Sequence, residues 1–170
     1  LNRRRPCRND CKTGAISMDS DSVAVIDHGK CVSCGACVYQ CPFGAISDKS
    51  YIVDTINILK GSENNTKYRV HAVVAPAISS QFTYAKLGQV ISGLRKLGFH
   101  SVVEAALGAD MVAYEEAKEL VERRYLSSSC CPAFVELVRK KFPTLADHIS
   151  SSLSPMATIS KFLKEKYPGD

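Results

Sequence analysis

Cys31, Cys34 and Cys37 are separated by two residues each, and Cys41 follows after three more, closed by Pro42. Gaps this short let three thiolates face inward on one iron-sulfur cubane, while Pro42 and Gly44 turn the chain away from it. A zinc site is the plain alternative for clustered cysteines. Three cysteines closed by a Cys-Pro step, beside a duplicated half, fit a [4Fe-4S] cluster better. Ligand thiols must be free, so the expected setting is a reducing cytoplasm. The histidines His28, His71, His100 and His148 have no paired metal spacing and read as surface or core residues.

The duplication is internal. Cys11-Lys12-Thr13-Gly14-Ala15-Ile16-Ser17 returns 30 residues later as Cys41-Pro42-Phe43-Gly44-Ala45-Ile46-Ser47, with five identities in seven positions. Between the copies, residues 23–27 read as a short strand bounded by turn residues. This segment resembles a bacterial two-cluster ferredoxin domain. In such domains the fourth cysteine of each run ligates the other cluster. That rule groups Cys31, Cys34 and Cys37 with Cys11 in one complete site. Cys7 and Cys41 remain as half of a second site, since the same offset places Cys34 on Arg4 and Cys31 on Leu1.

From Arg69 onward the patterning changes. Residues 70–75 form an apolar run ended by Pro76, as in a buried parallel strand. Residues 82–97 carry apolar side chains at helical spacing and stop at Gly98. A second strand is expected over residues 101–105 and a second helix from Asp110 to about Arg124, a βαβα order that implies a parallel sheet with covering helices. Residues 51–68 read as a helical, polar connector. Ser129-Cys130-Cys131-Pro132 leads into an amphipathic helix ending near Phe142. The expected fold is therefore an α+β ferredoxin-like domain over residues 1–50, then an α/β parallel-sheet lobe over residues 69–170.

The ferredoxin-like unit is followed in order by Val74-Ala75-Pro76-Ala77, Tyr114-Glu115-Glu116-Ala117, Ser129-Cys130-Cys131-Pro132-Ala133-Phe134 and Ser154-Pro155. This series resembles the [FeFe]-hydrogenase family. The resemblance implies that Cys131 is the first cubane ligand of the H-cluster, a [4Fe-4S] cubane bridged to a di-iron centre. It implies that Cys130 is a proton-donating thiol, that Glu116, Glu119 and Ser150 form a proton relay, and that Ala75, Pro76 and Ala77 line the di-iron pocket. Glu116 and Glu119 are neighbours on one helix face by their spacing. On residues alone they read as a solvated face, with Glu119 and Arg123 paired one turn apart.

Two departures point to a divergent branch with a sensory or electron-bifurcating role. Ala133-Phe134 replaces the family's Gly-Trp, and Lys12 replaces the proline expected after Cys11. The motifs supplying the other three cubane cysteines do not occur before Asp170, so the chain is expected to be an inactive part of a hydrogenase. Its implied activity is the reversible reduction of protons to hydrogen. The implied partner is a ferredoxin or another redox protein. A non-catalytic electron-transfer or redox-sensing module is the alternative.

Composition is consistent with this and excludes other classes. A chain of 170 residues with 45% hydrophobic content can bury a core. No apolar stretch reaches the roughly 20 residues that span a bilayer. The net charge of +5 owes much to Arg3, Arg4 and Arg5. These arginines lack the interleaved aromatics of a nucleic-acid site and read as a solvated terminus or as a docking patch for an acidic redox protein.

Overall fold

The computed structural model describes residues 5–169, so Leu1 to Arg4, with most of the basic start, and Asp170 lie outside the described residues. Two compact units are present. One holds the described residues up to Ser50 together with Cys131–Ile149, and the other holds Tyr51–Cys130 together with the residues from Ser150 onward.

In the first unit, a short helix α1 (Pro6–Asn9) leads to an antiparallel hairpin of β1 (Ile16–Met18) and β2 (Ala24–Ile26), in register Ile16 to Ile26. The hairpin turn is set by Asp19, whose carboxylate accepts the N–H groups of Asp21 and Val23 at 3.0 and 2.8 Å. Helix α2 (Ala36–Gln40) packs on α1. The unit is completed from far along the chain by α7 (Pro132–Lys141) and the 3-10 helix Pro143–His148. Its buried apolar residues are Ala15, Ile16, Val32 and, on α7, Val138.

The second unit opens with α3 (Ile52–Gly61) in the expected connector. Strands β3 (His71–Val74) and β4 (Ser101–Glu104) pair in parallel, in register His71 to Ser101, with α4 (Ile78–Gln81) and α5 (Leu87–Lys96) between them. The expected helix over residues 82–97 therefore starts later. Gln89 accepts the Lys86 N–H at 2.8 Å and so starts α5 at Leu87, while Phe82 sits edge-on to Tyr84. At the far end Leu97 is the C-cap, and Gly98 takes φ +110°, a conformation that favours glycine.

Helix α6 (Ala105–Arg123) begins directly after β4, earlier than its residues suggest. Gly108 is a poor helix former. Here it is buried where α6 meets α8 (Pro155–Lys166), and a Cβ added to it would fall on the Pro155 carbonyl oxygen and lie 3.1 Å from Ile159 Cβ. Helix α8 has no counterpart among the elements that the sequence patterning predicts. Ser154 caps it by accepting the Ala157 N–H at 3.3 Å, and Pro155 opens its first turn. Ile159 of α8 is fully buried, with Val74, Ala105 and Val112 also in the core of this unit. Among the described residues, no helix is long and apolar enough to cross a membrane.

Candidate functional site

The duplicated heptapeptides adopt the same turn. Gly14 and Gly44 take φ +66° and +62°, and each donates its N–H to the carbonyl of the cysteine three residues back that opens the repeat, Cys11 (3.1 Å) and Cys41 (3.3 Å) respectively. In each copy the cysteine sulfur accepts the N–H of the following alanine, Ala15 to Cys11 at 3.2 Å and Ala45 to Cys41 at 3.3 Å. Burial raises the Cys11 thiol, but the Thr13 hydroxyl and the backbone N–H of Ala15 outweigh it, so its pKa lies below the ordinary value. The N–H groups of Phe43 and Ala45 likewise lower Cys41. Both turns thus favour the thiolate, the form that binds iron.

Cys31 is held by the tight turn that precedes it, its N–H donating to the Asp27 carbonyl at 2.9 Å, and its sulfur accepts the Ser33 N–H at 3.4 Å. Cys34 is exposed, while Cys7 on α1 and Cys37 on α2 are half-buried. All eight cysteines are free thiols. Among the described residues, no three His, Cys, Asp or Glu side chains converge on a point that would hold a single metal ion. The features that fit a cluster are the repeated turns and their N–H to sulfur bonds.

In the second unit, Glu119 of α6 has only 12% of its side chain exposed. It accepts the Ser150 hydroxyl at 2.9 Å, and the Ser151 N–H and hydroxyl at 3.1 and 3.0 Å. Arg123 pairs with it at 3.1 Å. The Ser151 N–H is the largest cause holding this carboxyl below its ordinary range, outweighing desolvation, with the two hydroxyls and Arg123 adding to it. Ser150 is buried and its N–H donates to the Ser127 carbonyl at 2.7 Å, which places the loop before α8 beside the segment leading to Cys130. Glu116 accepts the Ser128 hydroxyl at 3.2 Å. Ser129, next to Cys130, donates to the Ser152 carbonyl at 3.1 Å. Cys130 is exposed, as is Cys131, the N-cap of α7.

Ala75 and Pro76, which follow β3, line a cavity of about 190 Å³ with Val74, Ser79, Glu104 and Ala106, whereas Ala77 is not among its lining residues. The cavity lies at the carboxyl ends of parallel strands, where such sheets hold ligands. Residues that spacing alone did not single out include Ser128 and Ser151 on the two glutamates, and Lys140, which reaches the Cys31 loop. Ser128 directly precedes the Ser129-Cys130-Cys131-Pro132 segment. The others become neighbours only through tertiary packing. His71 and His100, which show no pairing in sequence, meet edge to face at 5.6 Å, and His71 bonds to Ser101 at 2.7 Å.

Residues 68–170 match the model of the iron-only hydrogenase large subunit, C-terminal domain. The chain belongs to the iron-only hydrogenase family. Residues 24–47 also match a 4Fe-4S binding domain, so the chain carries an iron-sulfur unit ahead of its hydrogenase region.

Iron hydrogenase 1 of Clostridium pasteurianum is 32% identical over 143 residues, covering 75% of this chain and 24% of that protein. The NADP-reducing hydrogenase subunit HndD of Solidesulfovibrio fructosivorans is 28% identical over 153 residues, covering 81% of this chain and 26% of that subunit. The chain therefore spans about a quarter of the length of these curated relatives. A solved structure of HydA(deltaEFG), described as revealing stepwise [FeFe]-hydrogenase H-cluster assembly, superposes with a TM-score of 0.59 at 27% identity. It covers 69% of this chain and 34% of that one. The likeness extends to the small sheets and helices of the hydrogenase region.

The donor sets differ in completeness for the two metal groups the family implies. Six cysteines within residues 7–41 fit iron-sulfur ligation. Beyond them only Cys130 and Cys131 occur, so this chain offers an H-cluster at most those two thiols.

Proposed function

We propose that this chain is the electron-entry and proton-supply part of an iron-only hydrogenase that interconverts protons and hydrogen. Residues 1–50 form its ferredoxin-like domain, residues 51–68 a connector, and residues 69–170 part of the catalytic domain. Cys11, Cys31, Cys34 and Cys37 hold one [4Fe-4S] cluster, and Cys7 and Cys41 are half of a second site. The electron partner is a ferredoxin or another small redox protein, and free thiols suit a cytoplasmic setting.

The observation that carries this reading is the Ser150 to Glu119 hydrogen bond of 2.9 Å, made by a buried hydroxyl on the loop tied to the segment before Cys130. A carboxylate and a hydroxyl at that distance can pass a proton. Glu116 sits one turn away on α6, with Ser128 between it and the Cys130 segment. In this reading protons move along Glu119, Ser150 and Glu116 to the Cys130 thiol. When bound, the H-cluster supplies the redox chemistry of hydrogen. Cys131 would be one of its ligands, and Ala75, Pro76 and Ala77 would line its di-iron part. This chain's residues would orient the group and hold protons beside it.

The ion pair between Glu119 and Arg123 favours a second reading, in which the carboxylate is structural and the module transfers electrons without catalysis. Glu116→Gln in the whole protein that carries this chain separates the two. Hydrogen turnover is expected to fall by about 100-fold or more while cluster spectra stay unchanged. Unchanged turnover overturns the relay.

A further inference from the structure

Lys140 links stretches of sequence that local structure keeps apart. It lies in the last turn of α7, and its Nζ donates to the Cys31 carbonyl at 2.7 Å and to the His28 carbonyl at 3.3 Å. Glu136, one turn back, pairs with the same nitrogen at 3.2 Å and lies 4.0 Å from Arg139. The Lys140 side chain is 28% exposed, so its ammonium is partly withdrawn from water. The segment it grips is a tight turn. The N–H groups of Lys30 and Cys31 both donate to the Asp27 carbonyl, and that of Gly29 donates to the Asp27 carboxylate at 2.9 Å. Lys140 takes the carbonyls at both ends of the stretch from His28 to Cys31.

We infer that Lys140 positions the Cys31 loop and sets the reduction potential of the [4Fe-4S] cluster there. The inference rests on the reading of Cys31 as a cluster ligand. A cluster that accepts one electron gains one negative charge. A cation fixed at the ligand's own carbonyl favours that reduced form by Coulomb attraction, most where water is partly excluded. Local charge and hydrogen bonding are among the protein's means of tuning cluster potentials. Glu136 tempers the effect by balancing part of the ammonium's charge. Because Cys131 is the N-cap of α7, the same lysine ties the electron-entry loop to the helix that opens at the Ser-Cys-Cys-Pro segment.

Two substitutions separate electrostatics from scaffolding. Lys140→Met removes the cation and both carbonyl bonds, whereas Glu136→Gln leaves the cation with a neutral neighbour. Both loosen the same contact, but they change the local charge in opposite directions. The protein is reconstituted anaerobically, its iron is counted, and the cluster's spin signal is titrated with dithionite against potential. The relevant signal is the one that Cys34→Ala removes.

The midpoint is expected to move negative in Lys140→Met and positive in Glu136→Gln, with Lys140→Arg close to wild type. Shifts of the same sign in the first two variants, or no shift, overturn the inference while leaving Cys31 as a ligand. If Lys140→Met takes up no cluster, the direction of the Glu136→Gln shift decides. A wild-type protein that takes up no iron overturns the reading of Cys31 and the inference with it.

Discussion

At the scale of single residues, the chemistry depends on which groups are held charged. Glu119 has a depressed folded-state pKa because it accepts the Ser151 N–H and the Ser150 and Ser151 hydroxyls, with Arg123 beside it. Its stabilising contribution is complete above its unfolded value of about 4.3 and is lost as pH falls through the lower folded value. Urea midpoints of Glu119→Gln are therefore expected below wild type near neutral pH, with the gap closing in acid. A gap that persists when both carboxyls are protonated would show that side-chain shape, not charge, is responsible. The cysteines carry a second prediction. If Cys11 completes the cluster of Cys31, Cys34 and Cys37, Cys11→Ala abolishes the visible absorbance that dithionite bleaches and Cys41→Ala keeps it. The reverse outcome would return Cys41 to the run that it closes in sequence.

At the scale of elements, the strands β2, β3 and β4 and the helices α3 and α7 follow their local sequence. Residues 23–27 and 70–75 contain the observed strands β2 and β3, each trimmed at its ends. The starts of α5 and α6 do not follow apolar periodicity. Gln89 begins α5 through one hydrogen bond to the Lys86 N–H, and Gly108 is kept inside α6 because α8 needs the space. Gly108→Ala forces the Pro155 carbonyl away, and overpacking of this kind costs about 1–3 kcal/mol. A thermal melt of this variant is expected to be lower than wild type. Since Ser150 and Ser154 precede α8, the loss should also weaken the Glu119 contact, read as a smaller acid dependence of stability. An unchanged melting temperature would mean that α6 and α8 can separate at no cost.

At the scale of the whole molecule, the chain returns on itself. Cys131–Ile149 packs with the cysteine-rich first unit, although it lies within the stretch that matches the hydrogenase domain. Ligand binding that folds the cysteine loops should therefore protect α7 as well. Hydrogen exchange of the cluster-loaded and cluster-free protein is expected to show slower amide exchange over Pro132–Lys141 on loading, with α6 and α8 little changed. Equal exchange of α7 in both forms would mean that it folds independently of the cysteine loops.

Local sequence was enough for the thiol chemistry, because ligand spacing, the Cys-Pro step and the duplicated turn are short-range features. The family resemblance was also legible in the order of its motifs. What spacing could not supply was contact between distant segments. Glu119 with Ser150 and Ser151, Lys140 with the Cys31 carbonyl, and Gly108 beneath Pro155 are each separated by many residues. These pairs form because burial of Val138 in one unit and Ile159 in the other brings helices back onto earlier elements. Hydrophobic burial is non-directional, so only the assembled tertiary structure decides which polar groups it leaves side by side.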